Sequence, residues 1–198
     1  MDRSTPAPAT GREPPGVTAA LRRLHWGCGS RVVPGWTNSD RKAGPGVDLA
    51  CDIRGGLPVP DDSFDYVASM HGLQEIPYLE LVPVLRELRR VLKPAGILRL
   101  GLPDLDRAIR AYVENDRGYF LIPDDEAESL AGKLSVQMTW YGNSRTLLAY
   151  DFLAELAGKA GFAEVRRCRY RETASPYPGI VELDNRPKES FFVEAVKY

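Results

Sequence analysis

The side chains with chemistry to offer gather in the first half of this 198-residue chain. Gly27, Cys28 and Gly29, in the stretch LHWGCGS, follow an apolar run and precede a polar one. Small residues in that setting let a ligand lie against the backbone, although about half of such glycine pairs after a strand are ordinary turns. Asp40 stands eleven residues beyond Gly29, at the end of a second strand pattern, and Asp52 twelve further on, closing VDLACD. A carboxylate at the first position can accept both ribose hydroxyls of a nucleoside laid across the glycine turn. One at the second position can accept the amino hydrogens of adenine. No Walker lysine follows, and Ser30 and Val32 occupy the positions after Gly29 where a full G-x-G-x-x-G would continue. The spacing describes a nucleoside site without a phosphate cradle.

The chain has two histidines. His25 is flanked by apolar residues on a strand and reads as a core or cofactor-rim residue. His71, in SMHGLQE, follows a strand end inside the same crevice, where a neutral imidazole could take a proton from an acceptor hydroxyl near pH 7. Its alternative is an orienting role. Asp104, in LPDLD, is first a helix cap and second a substrate contact, and Trp140 and Tyr141, in QMTWYGN, could wall a substrate pocket. VELDNRPKES, at 181–190, reads as a polar surface hairpin with Asp184 and Arg186 solvated. No metal-ligand cluster is evident.

The elements that must hold these residues alternate. Strand patterns at Arg23–Trp26, Trp36–Ser39, Val47–Ala50, Phe64–Ser69 and Ile97–Leu102 are interleaved with helical ones. From Leu79 to Leu92, Leu81, Leu85, Leu88 and Leu92 share one helical face, and KPAG ends the helix, with Gly96 free to take positive φ. A second helix starts after Asp104, with Leu105, Ile109 and Tyr112 on one face. A third runs from about Thr146 to Lys159, with Leu148, Phe152 and Leu156 inward. Two last strands, near Glu164–Arg171 and Ser190–Lys197, flank a turn-rich loop. Such alternation predicts a parallel sheet, with ligands at the carboxyl ends of its strands.

Composition narrows the function. Lys plus Arg (26) nearly balances Asp plus Glu (27), which argues against a nucleic-acid partner; the basic run RRCRYR reads as a solvated outer strand. Three scattered cysteines suit a reducing compartment, and no apolar run approaches membrane-spanning length, so a cytoplasmic protein with no membrane partner is expected. Residues 1–16, rich in Pro, Ala, Thr and Gly, read as a disordered leader to a single domain over 17–198.

With LHWGCGS, GWTNSD, DLACDIRGGLPVPDDSFDYV, VLRELRRVLKPAGILRLGLPDLD and LAELAGKAGF, the sequence resembles the small bacterial class I S-adenosylmethionine-dependent methyltransferases, of the methyltransferase type 11 kind. The resemblance covers about 22–110 well and 145–162 loosely. It implies a Rossmann-like α/β domain: a mostly parallel seven-stranded sheet, its last strand antiparallel, with helices on both faces. It also implies S-adenosylmethionine as cofactor. Gly27, Cys28 and Gly29 would admit its methionine part, Asp40 hold its ribose and Asp52 with Ile53 its adenine, with Arg41 among the residues that bind it. The chain from Ser69 to Leu73, with Met70 and Leu73, would flank the sulfonium. His25 stands where the family usually has an acidic residue or Asn for the cofactor's amino end, and Leu73-Gln74-Glu75 where many members read LEH. The implied reaction is methyl transfer to an oxygen, less often a nitrogen, of a small molecule such as a sugar or secondary metabolite. The oligomeric state stays open. Rival readings are a cofactor-binding scaffold with lost or redirected catalysis, for example a cyclisation, and a dinucleotide-dependent oxidoreductase.

Overall fold

A computed structural model describes residues 20–198; the leader expected over 1–16 lies outside them. The strand patterns become β1 (Arg23–Trp26), β2 (Thr37–Asp40), β3 (Leu49–Ala50), β4 (Phe64–Met70), β5 (Leu92–Pro103), β6 (Glu164–Cys168) and β7 (Ser190–Val196). They form one sheet in the order β3-β2-β1-β4-β5-β7-β6. All neighbours from β3 to β5 pair parallel, and β7 runs antiparallel to both β5 and β6. The strand order reverses at β1 and β4, the switch point where ligands of such sheets bind.

Helices α1 (Tyr78–Val91) and α4 (Tyr150–Lys159) cover one face. The leucine stripe of α1 is buried as expected, with Leu81, Leu85 and Leu88 packed on Leu24, Val67 and Leu98 of the sheet. α4 is shorter than its sequence pattern: it begins at Tyr150, and Leu148 reaches the core from the segment before it. Within α4 it is Leu153 and Leu156 that are buried, with Phe152 at the border.

Cover on the opposite face is different from the helical layer expected there. The link from β1 to β2 holds no helix. Trp36 from that link packs with Tyr66, Ile97, Ile180 and Leu183, the last two brought in by a single 3-10 turn at Pro178–Val181. Beneath this cover lies Arg99 of β5, fully buried and bonded through Nε and Nη2 to Asp184 (2.7 and 2.6 Å) and through Nη1 to Glu194 (2.8 Å). Asp184 is thus a core residue, not the solvated hairpin position its polar neighbours suggested. Burial is tolerable because both carboxylates meet the same guanidinium.

Two further helices sit beyond the carboxyl end of β5. α2 (Leu105–Val113) is capped by Asp104, as its sequence predicts: the carboxylate accepts the Arg107 N–H at 3.1 Å. The buried face of α2 is not the expected one. Ala108 and Ala111 are buried against α3 (Leu130–Thr139), whereas Ile109 and Tyr112 are exposed. Small residues let two helices approach closely, and α3 itself has little apolar periodicity to reveal it. After α1, the positive φ falls on Ala95 (62°) and not on Gly96. Gly96 serves another need, because a Cβ there would lie 2.7 Å from the Lys93 carbonyl oxygen.

Candidate active site

The carboxyl ends of β1, β2, β3 and β4 open on a crevice of about 470 Å³, within the range of small-molecule sites. Beyond β1 the chain turns through Gly27 (φ 69°) and Gly29 (φ 52°), a left-handed backbone that glycine adopts without penalty. A Cβ built on Gly29 meets nothing within 4 Å, so any side chain there would project into open space on the crevice wall. Asp40, at the end of β2, fixes this turn: its Oδ2 accepts the Gly29 N–H at 2.8 Å and its Oδ1 the Lys42 N–H at 2.9 Å.

Past β3, Asp52 caps the turn Ile53–Gly55 and is gripped by Arg54, whose Nη2 lies 2.6 Å from Oδ2. Those hydrogen bonds hold the Asp52 carboxyl down at about 2, so it is ionised at any working pH. Ile53 is buried and forms the apolar wall beside it.

At the end of β4, His71 takes a left-handed conformation (φ 59°), and its N–H bonds to the Gly101 carbonyl at 2.8 Å. That geometry sets its imidazole between the crevice and a second, smaller chamber of about 160 Å³. The ring Nε2 lies 2.9 Å from Ser190 Oγ. Burial, aided by the Arg186 charge, pushes the His71 pKa down to about 4, so the ring is neutral at pH 7. Trp140, the left-handed cap of α3, also borders both spaces, and Arg186 stacks over its indole at 4.6 Å.

Of the residues singled out by sequence, Gly27, Gly29, Asp40, Arg41, Asp52, Ile53, His71 and Trp140 meet at the crevice. Others do not line it. His25 points to the opposite face of β1 from Trp26, because strand side chains alternate, and packs edge-on against Trp36 with Nδ1 3.4 Å from Asn38 Oδ1. Burial lowers its pKa to about 4 as well. Cys28 is buried behind the turn and ties it to β2 through its N–H and the Ser39 carbonyl (3.0 Å). Met70 packs in the core of the second face, and Leu73 in that of the first. Asp104 is buried under α2 and paired with Arg107 and Arg167, which leaves it a cap and no wall of either space. Tyr141 is exposed and bonded to Glu126.

The sequence singled out neither Arg145 nor Glu189, marked Gln74 and Glu75 only as a departure from the family pattern, and read Arg186 as solvated. Glu189 and Arg186 reach the chamber from 118 and 115 residues beyond His71, a convergence set by the insertion of β7 beside β5. No local periodicity encodes that. Among the described residues, no cluster of three or more His, Cys, Asp or Glu could hold a metal, and no helix is long and apolar enough to cross a membrane.

Comparison with known proteins agrees with the geometry. Residues 24–100 match the family model of the methyltransferase domain. A demethylmenaquinone methyltransferase of Geobacillus stearothermophilus is 37% identical over 117 residues, covering 55% of this chain and 46% of that protein. The one from Listeria welshimeri is 34% identical over 121 residues, covering 60% and 50%. The chain therefore spans about half the length of the curated relatives it matches. A SAM-dependent methyltransferase of Thermotoga maritima has the same fold, with a TM-score of 0.53 at 18% identity over 90% of this chain and 83% of that one. Another, from Archaeoglobus fulgidus, gives 0.50 at 11% identity over 90% and 87%.

In fold the chain is similar to the class I S-adenosylmethionine-dependent methyltransferases, and the family-model match at 24–100 spans the strands that build the crevice. The cofactor of this class is S-adenosylmethionine, and the residues present fit it: an open glycine turn, a carboxylate fixed at the end of β2, and a second one beyond β3. Ser69 Oγ, buried at the floor beside Gly27 and Gly72 without a partner, is a further polar group at that end of the crevice.

Proposed function

We propose that residues 17–198 form one catalytic domain that methylates an oxygen, less often a nitrogen, of a small molecule, with no nucleic-acid or membrane partner. The observation that carries this reading is the arrangement around His71. The crevice, with Asp40 clasping the Gly29 turn, meets the second chamber at His71, Glu75 and Trp140.

Bound S-adenosylmethionine supplies an already activated methyl group on a sulfonium. The chain's task is then alignment and exclusion of water. Asp40 would hold the ribose, and Asp52 with Ile53 the adenine, while Gly27 and Gly29 leave room for the methionine part. His71 and Trp140 set the border across which the acceptor must face the methyl group. The cofactor held there would supply the methyl group, with its sulfur as the leaving group, and the chain's residues would hold the acceptor in line with it. The acceptor's proton leaves to a nearby base, for which neutral His71 is placed. A quinone acceptor, as in the relatives' name, is disfavoured because the chamber is lined chiefly by polar side chains. A sugar or another polar metabolite suits it better.

Calorimetry tests the reading. S-adenosylhomocysteine is expected to bind and NAD not to. Asp40→Ala should weaken S-adenosylhomocysteine by about 1–3 kcal/mol, through loss of a charged acceptor. Unchanged affinity in a folded Asp40→Ala protein would remove the site.

A further inference from the structure

Among the described residues, eight other than glycine take positive φ, and three of them, His71 (59°), Trp140 (44°) and Arg186 (48°), meet in the second chamber. They arrive from the end of β4, the end of α3 and the loop before β7. Backbones of this kind persist only where the surroundings over-determine them, and they collect at binding sites.

A second observation says what the chamber takes. Gln74 is 6% exposed, and its amide orientation is fixed by Nε2 donating to the His71 carbonyl at 2.7 Å. Among the described residues its Oε1 is left buried with no partner. Buried carbonyl oxygens are nearly always bonded, so this one, on a residue that lines the chamber, is short of a donor. Glu189 lines the same chamber and is buried, and among the described residues its carboxylate meets only Arg186, at 3.4 Å, while that guanidinium lies over Trp140. Burial also holds the Glu189 carboxyl above its usual range, as for a group short of compensating donors. Ser190 engages His71 at Nε2, which leaves Nδ1 as the ring's remaining acceptor or donor. The chamber's interior is rich in acceptors, and its one cation is at the rim.

We propose that this chamber is the acceptor site and that it selects a small polar molecule with at least two adjacent hydrogen-bond donors, the nucleophilic hydroxyl or amine among them, read by Gln74 and Glu189. The inference rests on the methyltransferase reading above and adds the substrate class. A donor-free or long apolar acceptor would leave both groups buried and unsatisfied, which is how such sites reject analogues.

Matched probes test it on the intact chain loaded with S-adenosylhomocysteine. The chain has two histidines, so the imidazole region of a nitrogen–proton NMR correlation reports on His71 and His25 alone. Catechol, 2-aminophenol and cis-1,2-cyclohexanediol should shift the His71 signals saturably and leave those of His25 in place. The corresponding dimethyl ethers of the two diols should bind at least about tenfold more weakly. Glu189→Gln and Gln74→Met should each lower affinity for the diols by a similar factor, with S-adenosylhomocysteine affinity and circular dichroism unchanged. Ethers that bind as well as diols, variants that bind as well as the parent, or no probe shifting His71 would each overturn the proposal. Failure of S-adenosylhomocysteine itself to bind would instead overturn the cofactor reading on which it stands.

Discussion

At the scale of single residues, His71 gives the sharpest expectation. An exposed imidazole titrates near 6.5, and catalysis through it would rise with pH across that value. Here burial lowers the pKa to about 4, so the ring is already deprotonated at pH 6. Turnover limited by His71 should therefore rise only between about pH 3 and 5 and stay level above, which a pH–rate profile measures. His71→Ala should lower kcat by about 10²–10⁴ while sparing cofactor affinity. Retention of most activity by His71→Gln would assign it an orienting role. Gly29 offers a cleaner probe of the cofactor path. A β-branched residue would strain the turn at φ 52°, whereas asparagine tolerates that backbone and directs a side chain into the open crevice. Gly29→Asn should thus abolish S-adenosylhomocysteine binding with little change in melting temperature; normal binding would make the turn structural only. The glycine turn, Asp40 and Asp52 were legible because each is a local event at a strand end. His25 was legible only as core or rim, since it sits in a parallel strand buried on both faces, where an apolar flank leaves the direction of a side chain undetermined.

At the scale of elements, caps and stripes were readable where one helix buries one long stripe, as in α1. α3 escaped because its packing is made by few apolar contacts and by polar groups such as Lys133, bonded to the Ile122 carbonyl. The face of α2 was misjudged for a related reason: alanines, which carry little hydrophobic signal, do the packing. Asp104 shows how one residue can fix an element to the sheet. Its carboxylate caps α2 and meets Arg107 at 3.2 Å and Arg167 of β6 at 2.8 Å, while its N–H bonds to the Glu189 carbonyl. Asp104→Ala should destabilise the fold by about 1–2 kcal/mol, the cost of a lost helix cap, because both arginines can turn to solvent. Urea denaturation would read this as a lowered midpoint. A shift confined to acceptor affinity, with stability intact, would return Asp104 to the substrate contacts.

At the scale of the whole molecule, the Arg99 network joins β5, β7 and the segment that roofs the second face. Arg99→Met would leave Asp184 and Glu194 buried without a cation and should cost about 3–5 kcal/mol. Adding Asp184→Asn and Glu194→Gln should recover part of that loss. An equal denaturation midpoint for Arg99→Met and the parent would show that the pair is not what closes the roof.

That roof has a bearing on how the chain is made. Ribosomes deliver about 5–20 residues per second, and segments can settle only with what has already emerged. The site-forming ends of β1 to β4 are synthesised by Gly72, yet Trp36 and Tyr66 wait for Ile180 and Leu183 before they are covered. β6 waits longer still, because its sole neighbour in the sheet among the described residues, β7, is the strand that comes after it. A nascent chain paused near residue 162 would hold a formed glycine turn beside a bare aromatic surface. Such an intermediate is a natural client for a chaperone, and the wedge of β7 between β5 and β6 makes closing the second face a late step of the fold.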